Sequence, residues 1–163
     1  MVCTARLDLS DLIGHLLGRL GRCDRLLIAT LGYNEKNLIA LMRWFDAGQV
    51  GSITLLTSKF HRAHKGQLWE LSREQFRQRR QRLAAAYSHA KVCTLAFADG
   101  GRYVIEGSAN LCGNGSGREQ FALVQDAGLH DWHSRWIDDL VTRYEGQEQE
   151  ARPGAGRAEP PTG

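Results

Sequence analysis

The chain has 163 residues, 42% of them apolar and 24% charged, with a net charge of +3, which leaves room for one ordinary domain with a single core and not for two. No apolar run approaches the roughly 20 residues that cross a bilayer, and the N-terminus, MVCTARLDLSDL, lacks the charged-then-apolar order of a signal peptide, so a cytoplasmic setting without a membrane partner is expected. Cys3, Cys23, Cys93 and Cys112 have no CxxC spacing; they indicate neither a zinc site nor a disulfide framework and read as reduced thiols, Cys23 and Cys93 being the ones to bury.

In chain order, Leu12, Ile13, Leu16, Leu17 and Leu20 repeat with helical spacing after Ser10 and Asp11, either of which can cap, and Gly21 ends the run. RLLIAT, residues 25–30, fits a buried strand. Leu38, Leu41, Met42 and Phe45 form one apolar stripe closed by Gly48, and VGSITLLT, residues 50–57, is a second strand. Strand, helix, strand in this span is a βαβ unit with a parallel pair. Ser72 with Gln75 resembles a capping box and predicts a helix through Tyr87 with a narrow apolar face of Phe76, Leu83 and Tyr87. A hairpin follows, then a glycine-rich loop, LCGNGSG, and a strand near residues 120–125. A last helix carries Leu129, Trp132, Trp136, Leu140 and Tyr144 on one side, the tryptophans reading as core or interface anchors. All three prolines lie in the last 16 residues, so residues 1–147 are expected to fold and the tail 148–163 to be disordered. There is no internal repeat.

Charge is uneven along the chain. Between Lys59 and Lys91 nine basic residues face two acidic ones, a local balance of +7. Such a run is either a solvated helix face or a surface for a phosphate-rich partner.

The hairpin, HAKVCTLAFADGGRYVIEGSAN, residues 89–110, holds the chemistry. Asp99-Gly100 predicts a two-residue turn, which places Lys91 opposite Ser108 and His89 opposite Asn110, all on one sheet face. Glu106 would share that face and either pair with Lys91 or tune the site. An imidazole, a cation, a hydroxyl and an amide at the open end of one hairpin suit a phosphate group. Lys91 and Asn110 can bind its non-bridging oxygens while His89 attacks phosphorus. No carboxylate or His/Cys cluster offers a metal site, so no metal or other cofactor is expected and the cation is lysine.

His89-x-Lys91 followed by Gly107-Ser108-x-Asn110 resembles the signature of the phospholipase D superfamily, HxK, four residues, Asp, then GSxN or GSxxN. The resemblance spans about residues 8–145 and is nearest to short, single-motif bacterial endonucleases and small phage-encoded members. It implies an α/β fold, a mixed β-sheet flanked by helices on both faces. It implies His89 as nucleophile, Lys91 and Asn110 as phosphate binders, Ser108 as a hydrogen-bonding support, and Glu119 as the orienter of the His89 ring. It departs from the pattern at Ala96, where the family's aspartate is expected, although several nuclease-like branches also lack it. Because the superfamily builds each site from two motif copies and this chain has one, the resemblance implies a two-fold homodimer with two His89 side chains meeting across the interface.

The expected activity is a phosphodiesterase that forms a phosphohistidine, with nucleic acid preferred to lipid because of the basic segment; Arg62, Lys65, Arg73, Arg77 and Arg80 are its candidate substrate-binding residues. The competing expectation is a nucleic-acid-binding or regulatory module that binds phosphate without turnover. His61 and His64 read as surface residues able to contact phosphate, and His15, His130 and His133 as partly exposed helix histidines.

Overall fold

The computed structural model describes residues 2–3, 8–111 and 119–145. Cys112, most of the glycine-rich loop and the C-terminal tail lie outside the described residues, as do the side chains of Cys3 and Glu119. After a two-residue strand β1 (Val2–Cys3), helix α1 (Leu9–Leu20) is capped by Asp8, whose side chain accepts from the Asp11 amide while Asp11 bonds back. Asp8, rather than Ser10 or Asp11, therefore opens this helix. Strand β2 (Cys23–Ala29), helix α2 (Glu35–Asp46) and strand β3 (Ile53–Ser58) form the expected βαβ unit, with Leu26 to Ala29 pairing in parallel with Ile53 to Leu56.

Next come α3 (Lys59–His64), α4 (Gly66–Gln78) and strand β4 (Arg82–Ala86), parallel to β3. The helix predicted from Ser72 to Tyr87 is thus corrected at both ends. Ser72 is buried in mid-helix, donating to Leu68 O at 2.8 Å and accepting from the Tyr33 hydroxyl at 2.8 Å, so it caps nothing. Arg80, at φ 53, takes the chain out of the helix, and the alanines beyond it serve a strand because their small side chains fit beneath a crossing helix. Packing here overrides the helical preference of alanine.

Strands β5 (Val92–Phe97), β6 (Arg102–Gly107) and β7 (Glu119–Gln125) precede α5 (Ala127–Tyr144). The seven strands lie in the order β1-β7-β6-β5-β2-β3-β4, so the sheet is mixed: β2, β3 and β4 run parallel and every other pairing is antiparallel. Strand alternation feeds two cores. On one face Leu26, Ile28, Leu55, Cys93, Leu95 and Ile105 meet α1, α2 and α4; on the other Leu27, Ala29, Leu56, Ala84 and Ala86 meet Ile137 and Val141 of α5. Helices cover both faces, as expected, and each of these buried Leu or Ile side chains contributes about 1.5–3 kcal/mol. Cys23 and Cys93 are buried, as expected.

Helix α5 packs part of its expected stripe, Trp136, Leu140 and Tyr144, at the margin of the second core, but the centre of its inward side lies elsewhere. His130, His133, Ser134, Ile137 and Val141 are buried, while Trp132 is 60% exposed. Polar pairing sets this rotation. Ser134 Oγ meets Thr94 Oγ1 at 3.1 Å, and His133 Nε2 meets Glu106 Oε1 at 2.7 Å. His130 and His133 are therefore core residues rather than partly exposed ones, whereas His15 is exposed as expected. Asp138 holds the same helix to the sheet through Arg25 at 2.5 Å and Arg82 at 3.3 Å.

Candidate active site

The hairpin turn is one residue longer than predicted. Phe97 N donates to Gly101 O at 2.8 Å and Gly100 N to Phe97 O at 3.0 Å, with Gly100 at φ 93. This is a three-residue connection whose last residue needs the left-handed region that glycine enters freely. The register consequently shifts by one: Val92 pairs with Glu106, and Lys91 O accepts from Gly107 N at 3.2 Å. Lys91 thus stands opposite Gly107, not Ser108, and Glu106 leaves its face to bond His133 beneath α5. The pairing of His89 with Asn110 is replaced as well, because the chain leaves the hairpin after Gly107.

The two motif halves nonetheless reach the same end of the sheet by another route. β4 lies at the sheet edge and β5 beside β2, so residues 87–91 cross the ends of β3 and β2 to join them. His89 is exposed on this crossing, and its carbonyl accepts from Lys91 Nζ at 3.4 Å. From the other side, Ser108 N donates to Gln120 O at 3.0 Å and Ser108 Oγ accepts from Gln120 N at 3.1 Å, which ties the second half to β7. Leu111 N then donates to Thr30 Oγ1 at 3.0 Å, just past the end of β2, and Leu111 O accepts from Asn37 Nδ2 at 3.2 Å. Asn110 is held between the buried Ala109 and Leu111. Its Oδ1 is buried and has no hydrogen-bond partner among the described residues.

Gly107 sits where the halves join. A Cβ there would stand 2.4 Å from Gln120 O and 2.8 Å from Phe121 Cδ1, so only glycine lets β7 approach. Glu119 opens β7 beside this junction, opposite Cys3.

Several further residues at this end were read otherwise from the sequence or passed over. His61 is buried, against the expectation of a surface residue, packed on Tyr33 with ring centroids 4.6 Å apart; its Nε2 has no partner among the described residues. Burial, then the neighbouring Lys65 charge, lowers its pKa from 6.5. The irregular spacing of HRAH concealed this, since one turn of α3 points His61 inward and leaves His64 exposed. Thr30 and Asn37 bind the 108–111 loop, and Tyr87 and Phe60 are exposed at 85% and 65%.

The basic segment divides. Arg62, with its guanidinium 5.5 Å from the Trp69 ring, and Lys65 lie in and after α3, at the site end. Arg73, Arg77 and Arg80 do not join them. α4 runs away from the site, so that Arg79 meets Asp46 at the end of α2 and Gln81 bonds the start of β3. Arg73 and Arg77 form ion pairs with Glu70 and Glu74 at 2.9 and 2.8 Å, and Arg80 precedes β4, roughly 20 Å of extended chain from Ala86. Ala96, at the position where an aspartate was expected, pairs with Arg25 and Arg102 at the far end of β5, about 16 Å along the strand from Lys91. Its side chain removes nothing from the sheet end that gathers His89 and Asn110. Among the described residues no three metal-ligating side chains converge, and no helix is long and apolar enough to cross a membrane.

No family model and no curated protein matches the chain. Its fold is similar to solved structures. One is Nuc, a phospholipase D family member from Salmonella typhimurium, with a TM-score of 0.61 at 11% identity over 81% of this chain and 88% of that one. Another is TrmBL2, an archaeal chromatin protein described as having a novel mode of DNA binding, with a TM-score of 0.56 at 14% identity over 83% of this chain and 50% of that one. A third is a polyphosphate kinase from Porphyromonas gingivalis, with a TM-score of 0.55 at 18% identity over 82% of this chain and 21% of that one.

Proposed function

Starting from a phospholipase D superfamily fold, we propose that the chain is a phosphodiesterase that cleaves nucleic acid through a covalent phosphohistidine. The observation that carries the reading is the convergence of the His89-x-Lys91 crossing and the Gly107-Ser108-x-Asn110 loop on one sheet end, beyond the carboxyl ends of the parallel strands. In this reading a ring nitrogen of His89 attacks phosphorus, forming a phosphorus–nitrogen bond as the bond to the leaving oxygen breaks. Lys91 and the Asn110 amide hold the non-bridging oxygens, Ser108 fixes the loop, and Glu119 orients the His89 ring. The leaving oxygen takes its proton from His89 of the partner subunit in a two-fold homodimer. Water then displaces the histidine, and the diester emerges as a monoester and an alcohol. Arg62 and Lys65 bind flanking phosphates, no metal takes part, and the setting is cytoplasmic.

Hydrolysis of bis(p-nitrophenyl) phosphate in EDTA tests this, with acid-labile phosphohistidine trapped at short times. The parent should turn over and His89→Ala should not, while still binding DNA. A stable monomer in light scattering that still cleaves would remove the shared site. The likeness to a chromatin protein favours one second reading, a DNA-binding module without turnover, which an inert parent that binds DNA would support.

A further inference from the structure

Two large aromatic side chains stand out of the site end with one face each already occupied. Tyr87, 85% exposed, follows β4 and lies two residues before His89; Lys59 Nζ sits 4.6 Å from its ring centroid and 4.9 Å from that of Tyr144. Phe60, 65% exposed, follows β3; the His64 ring lies 3.9 Å from it at 31°, and His64 Nδ1 is 2.8 Å from Phe60 O. Each ring is thus backed by a basic side chain and open on its other side, which fixes its orientation without burying it.

The two chain segments that carry these rings hold charges of one sign. Residues 58–69 and 86–91 contain Lys59, Arg62, Lys65 and Lys91 with His61, His64 and His89, and no acidic residue. Cations of this kind complement phosphate. Aromatic platforms interleaved with cations bind unpaired nucleotides, because a base stacks on a ring only when its own neighbour or partner has released it. A duplex offers the cations its phosphates and gives the rings nothing.

We propose that the substrate is single-stranded nucleic acid, whose bases stack on Tyr87 and Phe60 as the strand runs over the β3–β4 flank to the His89 site. This rests on the phosphodiesterase reading for the outcome of binding, though not for the binding itself.

The test is fluorescence anisotropy of a labelled oligothymidylate, and of a labelled duplex, with Tyr87→Ala, Phe60→Ala and Tyr87→Trp. Both rings are exposed, so these variants should fold as the parent does. Each alanine should weaken oligothymidylate binding about tenfold, a loss of ~1.4 kcal/mol, with the duplex affinity and the salt slope unchanged because no cation is removed. Tyr87→Trp should bind as tightly as the parent or tighter. Unchanged oligothymidylate affinity in both alanine variants would overturn the inference, as would dissociation of a parent dimer into monomers on either substitution, which would assign the rings to a protein interface. A parent that hydrolyses no diester yet loses oligothymidylate affinity on these substitutions would sink the phosphodiesterase reading and leave the strand-binding surface standing.

Discussion

Gly107→Ala is the most direct probe of how the two motif halves are joined. A methyl group at this position would lie 2.4 Å from Gln120 O, where ordinary carbon–oxygen contacts begin at about 3.3 Å. Backbone occupies the space, so β7 must retreat by about 1 Å. That movement stretches the bonds from Ser108 N to Gln120 O at 3.0 Å and from Gln120 N to Ser108 Oγ at 3.1 Å beyond useful range. At ~1 kcal/mol for each bond, with some residual strain, the loss is about 2–3 kcal/mol. For a domain of this size the melting temperature should fall by roughly 4–12 °C. Scanning calorimetry and urea unfolding measure this, and diester hydrolysis should fall too at temperatures where the variant is folded, since Ser108 and Asn110 ride on the displaced segment. Gly18→Ala serves as the contrast: a Cβ there meets nothing within 4 Å, so a helical alanine should leave stability unchanged or raise it by up to ~1 kcal/mol. A Gly107→Ala variant with parental melting temperature and activity would refute the close approach of β7.

Two further expectations concern buried titratable groups. The unfolded His61 ring takes up a proton near pH 6.5 and the folded one only at lower pH, so its contribution to stability is intact above about pH 6.5 and is lost as pH falls through the folded value. The urea midpoint of His61→Gln should accordingly decline less steeply than the parent's between pH 7 and 5 on the scale of that one group's titration, and parallel declines would show that burial does not hold the proton off. Burial raises the Cys23 thiol to about 11 and Cys93 well above its ordinary value. In the native protein both should resist a thiol reagent at about pH 8 and react once urea is added; rapid native labelling, mapped by peptide mass, would contradict their placement.

The βαβ unit and the first helix were legible in the sequence because each carries one strong periodic signal and packs as that signal directs. The motif halves were legible as residue types, and their meeting at one sheet end followed from strand order rather than from the pairing that Asp99-Gly100 suggested. A turn longer by one residue moved Glu106 to the opposite face, where His133 receives it. Arg82 to Ala86 misled because alanine favours a helix in isolation, while beneath α5 only small side chains fit. The inward side of α5 was legible only in part, through Trp136, Leu140 and Tyr144, because its buried contacts also include two histidines and a serine whose partners, Glu106 and Thr94 among them, come from strands far away in the chain. His61 was read as a surface residue because a short helix of six residues offers too little periodicity to tell its inner side.

Strand β5 occupies the centre of the sheet, yet it is made after β2, β3 and β4. Until it arrives, β2 has a neighbour on one side only, and its Leu26, Leu27, Ile28 and Ala29 present open backbone groups along an apolar edge, the kind of edge that recruits foreign strands. The segment that begins with His89 and Lys91 is therefore also the one that closes this edge during synthesis. A chain that stalls before Val92 lacks the strand that covers this edge and carries an adhesive flank. Completing β5 thus removes an adhesive edge in the same step that brings the candidate site's first half to the end of the sheet.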